Sequence, residues 1–301
     1  MNGPPRWPMI RRVVELSVVI PAYNEAAGIG PVLTELDSVL RAAGVDHEIL
    51  VVDDGSTDGT REAVAALAGP IAGLRLVRHD KNRGYGAALK TGIGVARAPL
   101  VAITDADGTY PSAELPRLLA TITEQGADMV VGARTGANVH IPLVRRPAKA
   151  VLTTLAQYLS GHEIPDLNSG LRIFKREAAL ERFHLISDGF SFTTTITLAL
   201  LARNRPVVFV PVDYLRRTGA SKIRPVADTF NFLVLILRIS VYFEPLKVFL
   251  PTAGLLALSG LAYGAMQVVA GNLGEAPVLL LVSALQVLLV GLIADMISRR
   301  H

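Results

Sequence analysis

Four times in the first 126 residues, a short, largely apolar run is followed by a stretch with helical spacing, and a fifth run, "ADMVVGAR", comes next. "LSVVI" precedes "AYNEAAGIGPVLTELDSVLRAAG", where Ile29, Val32, Leu33, Leu36, Val39 and Leu40 recur with the period of one helix face. The later units are "HEILVVDD" with "STDGTREAVAALAG", "LRLVRHD" with "YGAALKTGIGVARA", and "PLVAITD" with "ELPRLLATITEQG". Runs that are apolar at every position fit strands buried on both faces, and strands alternating with helices require a parallel sheet covered by helices on both sides. In such a sheet ligands bind at the carboxyl ends of the strands. The first strand is expected to stop at Pro21.

Beyond residue 136 the pattern is less regular, with helical signals in "VRRPAKAVLTTLAQYLSG" and "GFSFTTTITLALL" and strand signals in "LRIF" and "VVFVPVDY". The chain is 50% hydrophobic but only 6% aromatic, with a mean hydropathy of +0.41, more oil than a soluble domain carries. It is unevenly placed, and from about Phe230 the chain is largely apolar. The spans Phe249–Ala270 and Val278–Ser298 are each close to the roughly 20 apolar residues that cross a bilayer as a helix. The expected organisation is a globular α/β domain over 1–220, a basic connector and amphipathic interfacial helix over 221–248, and a two-helix transmembrane hairpin over 249–301. Basic residues flank the pair of spans and the "GNLGEA" between them has none, so both termini are expected in the cytoplasm of a multi-pass cell-membrane protein. Gly254, Gly260 and Gly264 are compatible with close helix packing and with a homo-oligomer.

Several classes fall away. The first residues, "MNGPPRWPMIRRVV", have only a short apolar run, broken by Glu15, and no small-residue cleavage pattern, so no signal peptide is expected. A net charge of +4 without basic–aromatic interleaving gives nucleic acid little support as a partner. With no cysteine, disulfides, thiol catalysis and thiolate metal sites are excluded. His140 and His162 stand alone in polar connectors and read as solvated bystanders.

Chemistry gathers at three strand ends: Tyr23, Asn24 and Glu25 after the first, Asp53, Asp54, Ser56 and Asp58 after the second, and Asp105 and Asp107 in "TDADGTYP" after the fourth. Asp and Ser at such turns also serve as ordinary helix caps. Neither G-x-x-x-x-G-K-[ST] nor G-x-G-x-x-G is present, so phosphates are not cradled by a glycine loop. Carboxylates beside a diphosphate need a bridging cation, and hard oxygen ligands select Mg²⁺ or Mn²⁺.

In "VVIPAYNE", "VVDDGSTDGT", "NRGYGAALKTG", "DADGTYP", "VVGAR", "NSGLRIF" and "GASKIRP" the chain resembles the family 2 glycosyltransferases of the GT-A fold. Within them it is similar to polyprenyl-phosphate hexosyltransferases such as the dolichol-phosphate mannose synthases. The resemblance implies that Pro21, Tyr23, Glu25 and one of Asp53 and Asp54 hold the nucleoside of a GDP- or UDP-hexose, and that Asp105 and Asp107 bind the metal. It implies that Arg134, with basic residues among Arg145, Arg146 and Lys149, faces a polyprenyl phosphate acceptor, and that Arg217 and Lys222 belong to a basic loop closing on the phosphates. The implied reaction is inverting hexose transfer at the cytoplasmic face of a lipid bilayer.

The chain departs from the family in two places: Thr109 stands where those synthases carry Gln, and the helix from "GFSFTTT" opens with threonines where many members carry an acidic base, Asp188 lying just before it. A phosphate acceptor is already anionic and needs no such base. The alternatives are transfer to a glycan or lipid hydroxyl, with Asp188 or Asp166 as base, and a non-catalytic nucleotide-sugar-binding membrane protein.

Overall fold

A computed structural model describes residues 14–136, 153–158, 160–186, 188–189, 191–215, 233–234, 236–238, 240–271 and 274–298. Contacts divide the chain into two compact units. The first draws on Met1–His140, Asn168–Thr193 and Pro206–Ser221, the second on Ile141–Leu167, Thr194–Arg205 and Lys222–His301.

The first unit holds one mixed sheet built from β1 (Leu16–Ala22), β2 (His47–Asp53), β3 (Leu74–Arg78), β4 (Leu100–Ile103), β5 (Met129–Ala133), β6 (Arg172–Lys175) and β7 (Val207–Pro211), in the order β3-β2-β1-β4-β6-β5-β7. Pairs β1/β2, β2/β3, β1/β4 and β5/β7 are parallel, and only β6 runs antiparallel, between β4 and β5. The mostly parallel sheet expected from the sequence is present.

Helices α1 (Ile29–Ala42), α2 (Thr60–Leu67), α3 (Tyr85–Val95) and α4 (Leu115–Glu124) follow β1 to β4, and a short α5 (Arg176–Leu180) follows β6. The two-residue pleat assigns the faces. Leu16, Val18 and Ile20 of β1, with Ile49 and Val51 of β2, join Ile29, Leu33, Leu36 and Leu40 of α1 in the core. Val19 and Val52 point the other way, towards α3, and a Cβ on Gly92 would come within 2.3 Å of Val19 Cγ1. Gly92 is therefore what lets α3 lie on the sheet.

Pro21 does not end β1, which continues to Ala22. The O atom of Val19 accepts from Thr104 N–H on the β4 side and that of Ala22 from Asp54 N–H on the β2 side. Pro21, in step with Val19, therefore turns its missing donor towards β4, whose pairing has already ended at Val19. A proline is tolerated at an unpaired edge position.

The amino ends of the strands are clamped away from the ligand edge. Glu48 is buried and accepts from Ser17 Oγ at 2.7 Å, Arg97 N at 2.7 Å and Arg75 Nη1 at 2.8 Å. Burial by itself would raise this carboxyl, but the Ser17 hydroxyl, Arg75 and the Arg97 N–H outweigh it and hold Glu48 below its ordinary value.

The second unit contains most of α6 (Phe192–Leu201), helical residues at 233–234, 236–238 and 240–243, and two long helices, α7 (Pro245–Val269) and α8 (Ala276–Ser298). Both long helices meet the length and hydropathy of membrane spans, and only 11% and 17% of their most apolar windows is buried. The buried residues are Pro245, Ala253 and Gly260 on α7 and Pro277, Ala284 and Gly291 on α8, none with a long side chain. A Cβ on Gly260 would meet Leu281 Cγ at 3.0 Å, and one on Gly291 would meet Phe249 Cβ at 2.6 Å. Leu255, Leu258, Leu261, Leu279, Leu285 and Ile293 point outward. Small residues inside and large apolar ones outside is the arrangement of helices solvated by lipid. Gly254 has nothing near its Cβ position, whereas Gly264 sits against Pro277.

Candidate active site

The carboxyl ends of β1, β2 and β4 carry loops that are stitched to one another. Asn24, in the left-handed region at φ 55° that asparagine tolerates, donates its N–H to Ser56 Oγ and accepts from Thr57 N–H at 2.8 Å through Oδ1. Glu25 N–H reaches Thr60 Oγ1 at 2.9 Å, and Ala26 N–H reaches Asp58 Oδ2 at 3.1 Å. The Thr60 hydroxyl, with the Ala26 and Thr60 N–H groups, outweighs the slight burial of Asp58 and holds its carboxyl below the ordinary value. On the other side, the Cβ position of Gly28 is 3.2 Å from Ala106 O, so the start of α1 lies against the "DAD" turn. Tyr23, Glu25, Asp53, Asp54, Asp105 and Asp107 are thus brought to one edge.

The two aspartates of "VVDD" have different partners. Asp53, fully buried, accepts from Ser56 N–H at 2.9 Å and lies 3.4 Å from Arg61 Nη2. Asp54 turns to the "NRG" loop, accepting Arg83 N–H at 2.9 Å and Gly84 N–H at 2.8 Å, while His79 Nδ1 is 2.6 Å from its Oδ1. His79 Nε2 in turn meets Thr91 Oγ1 at 2.9 Å. Asp54 therefore organises the loop ahead of α3, a role the sequence motif did not reveal.

Asp107 closes its own turn, accepting from Thr109 N–H at 3.1 Å and Thr109 Oγ1 at 2.7 Å. This is the use the structure makes of Thr109. Asp105 Oδ1 accepts from Tyr85 Oη at 3.1 Å, and the Cβ position of Gly170 would lie 2.8 Å from its Oδ2. Burial, reinforced by the Asp105 charge, pushes the Tyr85 phenol well above its ordinary range, so it stays a proton donor. Tyr110, also pushed up by burial although the nearby Arg134 acts the other way, accepts Gly170 N–H at 2.7 Å. Arg134 sits 5.2 Å from the ring centroid of Tyr214, which meets Tyr110 edge-on at 5.2 Å.

Leu215 N–H donates to Thr109 O at 2.9 Å, so the chain leading to Arg217 is tied to the same turn. Arg217 and Lys222 themselves, like Arg145, Arg146, Lys149 and His140, lie outside the described residues. Asp188 is largely exposed and pairs with Lys90 Nζ at 2.7 Å. Asp166 is fully buried and belongs to the second unit.

The residues missed by sequence reasoning are Tyr85, His79, Tyr110, Tyr214, Gly170 and the fully buried Arg172, whose guanidinium donates to Ser169 O and to Thr193 O. Most of them stood inside quoted motifs, without a polar pattern that would separate them from core.

Among the described residues no three His, Asp or Glu converge into a self-sufficient metal cage. Two carboxylates from one loop are nevertheless the donor set suited to Mg²⁺ or Mn²⁺ whose remaining positions are filled by substrate phosphate and water. Asp105 and Asp107 fit an ion carried in with a diphosphate.

Residues 17–183 match glycosyl transferase family 2. The chain belongs to that family. The family 2 chain also matches the GtrB C-terminal hairpin over residues 244–299, the region of α7 and α8. It is 31% identical to a dolichyl-phosphate hexose transferase of Haloferax volcanii, over 71% of this chain and 88% of the relative. It is 26% identical to a dodecaprenyl-phosphate galacturonate synthase of Rhizobium johnstonii, over 96% of this chain and 89% of the relative. Among solved structures it resembles glucosyl-3-phosphoglycerate synthase from Mycobacterium tuberculosis, determined with Mn²⁺, UDP and phosphoglyceric acid, with a TM-score of 0.58, 23% identity and coverage of 75% of this chain and 78% of that one. The fold of this family 2 member is accordingly GT-A, and the protein is a glycosyltransferase.

Proposed function

We propose that the protein transfers a hexose, with inversion, from a nucleotide sugar to a polyprenyl phosphate at the cytoplasmic face of a membrane in which α7 and α8 are embedded. The observation that carries this reading is the similarity to a dodecaprenyl-phosphate sugar synthase over 96% of the chain, hairpin included. Pro21, Tyr23, Glu25 and Asp53 hold the nucleoside of a GDP- or UDP-hexose, and Asp54 shapes the loop beside it. Asp105 and Asp107 would hold Mg²⁺ or Mn²⁺, which when bound would offset the charge of the departing diphosphate.

A phosphate monoester is ionised near neutral pH, its second pKa being about 6. Its oxygen forms the new bond to the anomeric carbon as the bond from that carbon to the diphosphate oxygen breaks, the electron pair leaving with the nucleoside diphosphate. No side chain has to remove a proton. Arg134, over the ring of Tyr214, orients the acceptor phosphate, and Arg217 and Lys222 close on the donor phosphates. Asp188 is ill placed to be a base for a hydroxyl acceptor, because its carboxylate is already engaged by Lys90 Nζ at 2.7 Å. The domain scheme stands as part of this proposal: catalytic region over 1–220, connector and interfacial helix over 221–248, and hairpin over 249–301.

The test is a donor panel of UDP- and GDP-hexoses given to purified protein with Mn²⁺ and, in parallel, polyprenyl phosphate and the matching polyprenol. Product is expected only from the phosphate, and Asp107→Asn should abolish it. Comparable transfer to the alcohol would overturn the acceptor assignment.

A further inference from the structure

The "NRGYG" loop is held from two sides. Its Arg83 and Gly84 N–H groups are bound by Asp54, and behind it Ala87 N–H donates to Asp188 O at 2.9 Å. Gly84 has φ 105°, and a Cβ there would come within 2.8 Å of Asp188 O, so no other residue fits that position without strain. The next residue, Tyr85, opens α3 and delivers its phenol to Asp105 Oδ1 at 3.1 Å. Across the carboxylate, Gly170 leaves space that a methyl group would fill, its Cβ position lying 2.8 Å and 3.0 Å from the two oxygens. The carboxylate plane is therefore set between a donor fixed to one loop and a bare Cα fixed to another.

Resting on the reading of Asp105 as a metal ligand, we propose that Tyr85 is its positioning residue, presenting the carboxylate in the orientation that captures a divalent cation. A group that hydrogen-bonds a metal ligand typically governs affinity by tenfold or more. Tyr85→Phe keeps the ring and removes only the hydroxyl.

The experiment measures binding of Mn²⁺ to the purified full chain from the electron paramagnetic resonance signal of free Mn²⁺, alone and with UDP or GDP, for wild type, Tyr85→Phe and Asp105→Asn. Support consists of about a tenfold weaker Mn²⁺ affinity in Tyr85→Phe, loss of binding in Asp105→Asn, and an unchanged melting temperature in Tyr85→Phe. Unchanged affinity in Tyr85→Phe while Asp105→Asn loses the ion would overturn the role of Tyr85 and leave the metal reading standing. Unchanged affinity in both variants would overturn the two together.

Discussion

His79 Nδ1 lies 2.6 Å from Asp54 Oδ1, joining the residue after β3 to the residue after β2. The same carboxylate receives the two N–H groups that end the loop into α3, so one buried side chain sets the relative position of three segments.

Asp54→Asn should therefore be costly although it preserves shape. An amide cannot accept on both sides, and one buried donor is left unmatched at a cost of about 2 kcal/mol. That corresponds to about 4–8 °C of melting temperature for a domain of this size. Thermal unfolding followed by circular dichroism reads it, and a shift below about 1 °C would contradict the clamp.

Arg134→Ala and Asp188→Asn separate the two acceptor chemistries. With polyprenyl phosphate, Arg134→Ala is expected to lose about 10²-fold or more in rate, the usual effect of removing one preorganised charge-stabilising donor. Asp188→Asn should stay within about threefold, under 1 kcal/mol of barrier. The reverse ranking in a radiolabelled-hexose transfer assay would favour a hydroxyl acceptor with Asp188 as base.

Glu48 predicts a pH dependence of stability. Its carboxyl is held below the ordinary value by Ser17, Arg75 and Arg97 despite burial, so the unfolded state binds the proton more readily. The stabilisation is fully present above the unfolded value of about 4.3 and is lost as pH falls through the lower folded value. Melting temperatures of wild type and Glu48→Gln measured from pH 7 to pH 3 should converge at the acid end. Parallel curves would show that the carboxylate contributes no such linkage.

A reporter fused after residue 301 and one inserted at residue 272 should report opposite sides of the membrane, the former cytoplasmic. Both on one side would rule out a two-span hairpin.

The sheet was legible because the continuous apolar stretches "VVI", "ILVV" and "LVAI" alternate with segments of helical spacing. The gathering of "YNE", "DD" and "DAD" followed from parallel topology alone. Pro21 was misjudged because a proline's tolerance depends on which neighbour its nitrogen faces, and that is fixed by where β4 ends. Asp54 and Tyr85 were opaque for a related reason: their partners, His79 and Asp105, lie 25 and 20 residues away. Spacing in a sequence says nothing about such cross-loop bonds. Gly170 was quoted in "NSGLRIF" without a role, since the need for a missing side chain becomes visible only beside the Asp105 carboxylate.

The placement of β6 has a consequence for the order of assembly during synthesis. β3, β2, β1 and β4 are complete once residue 103 has emerged, but the outer edge of β4 is covered only when Arg172–Lys175 arrives, about 70 residues later. At roughly 5–20 residues per second that edge stays bare for about 4–14 seconds on the ribosome. A bare edge is a template for wrong pairing. Asp105 on one side of that seam and Gly170 on the other meet only when it closes, so the nascent protein holds its pair of acidic side chains in "DAD" well before it has the surroundings that orient them.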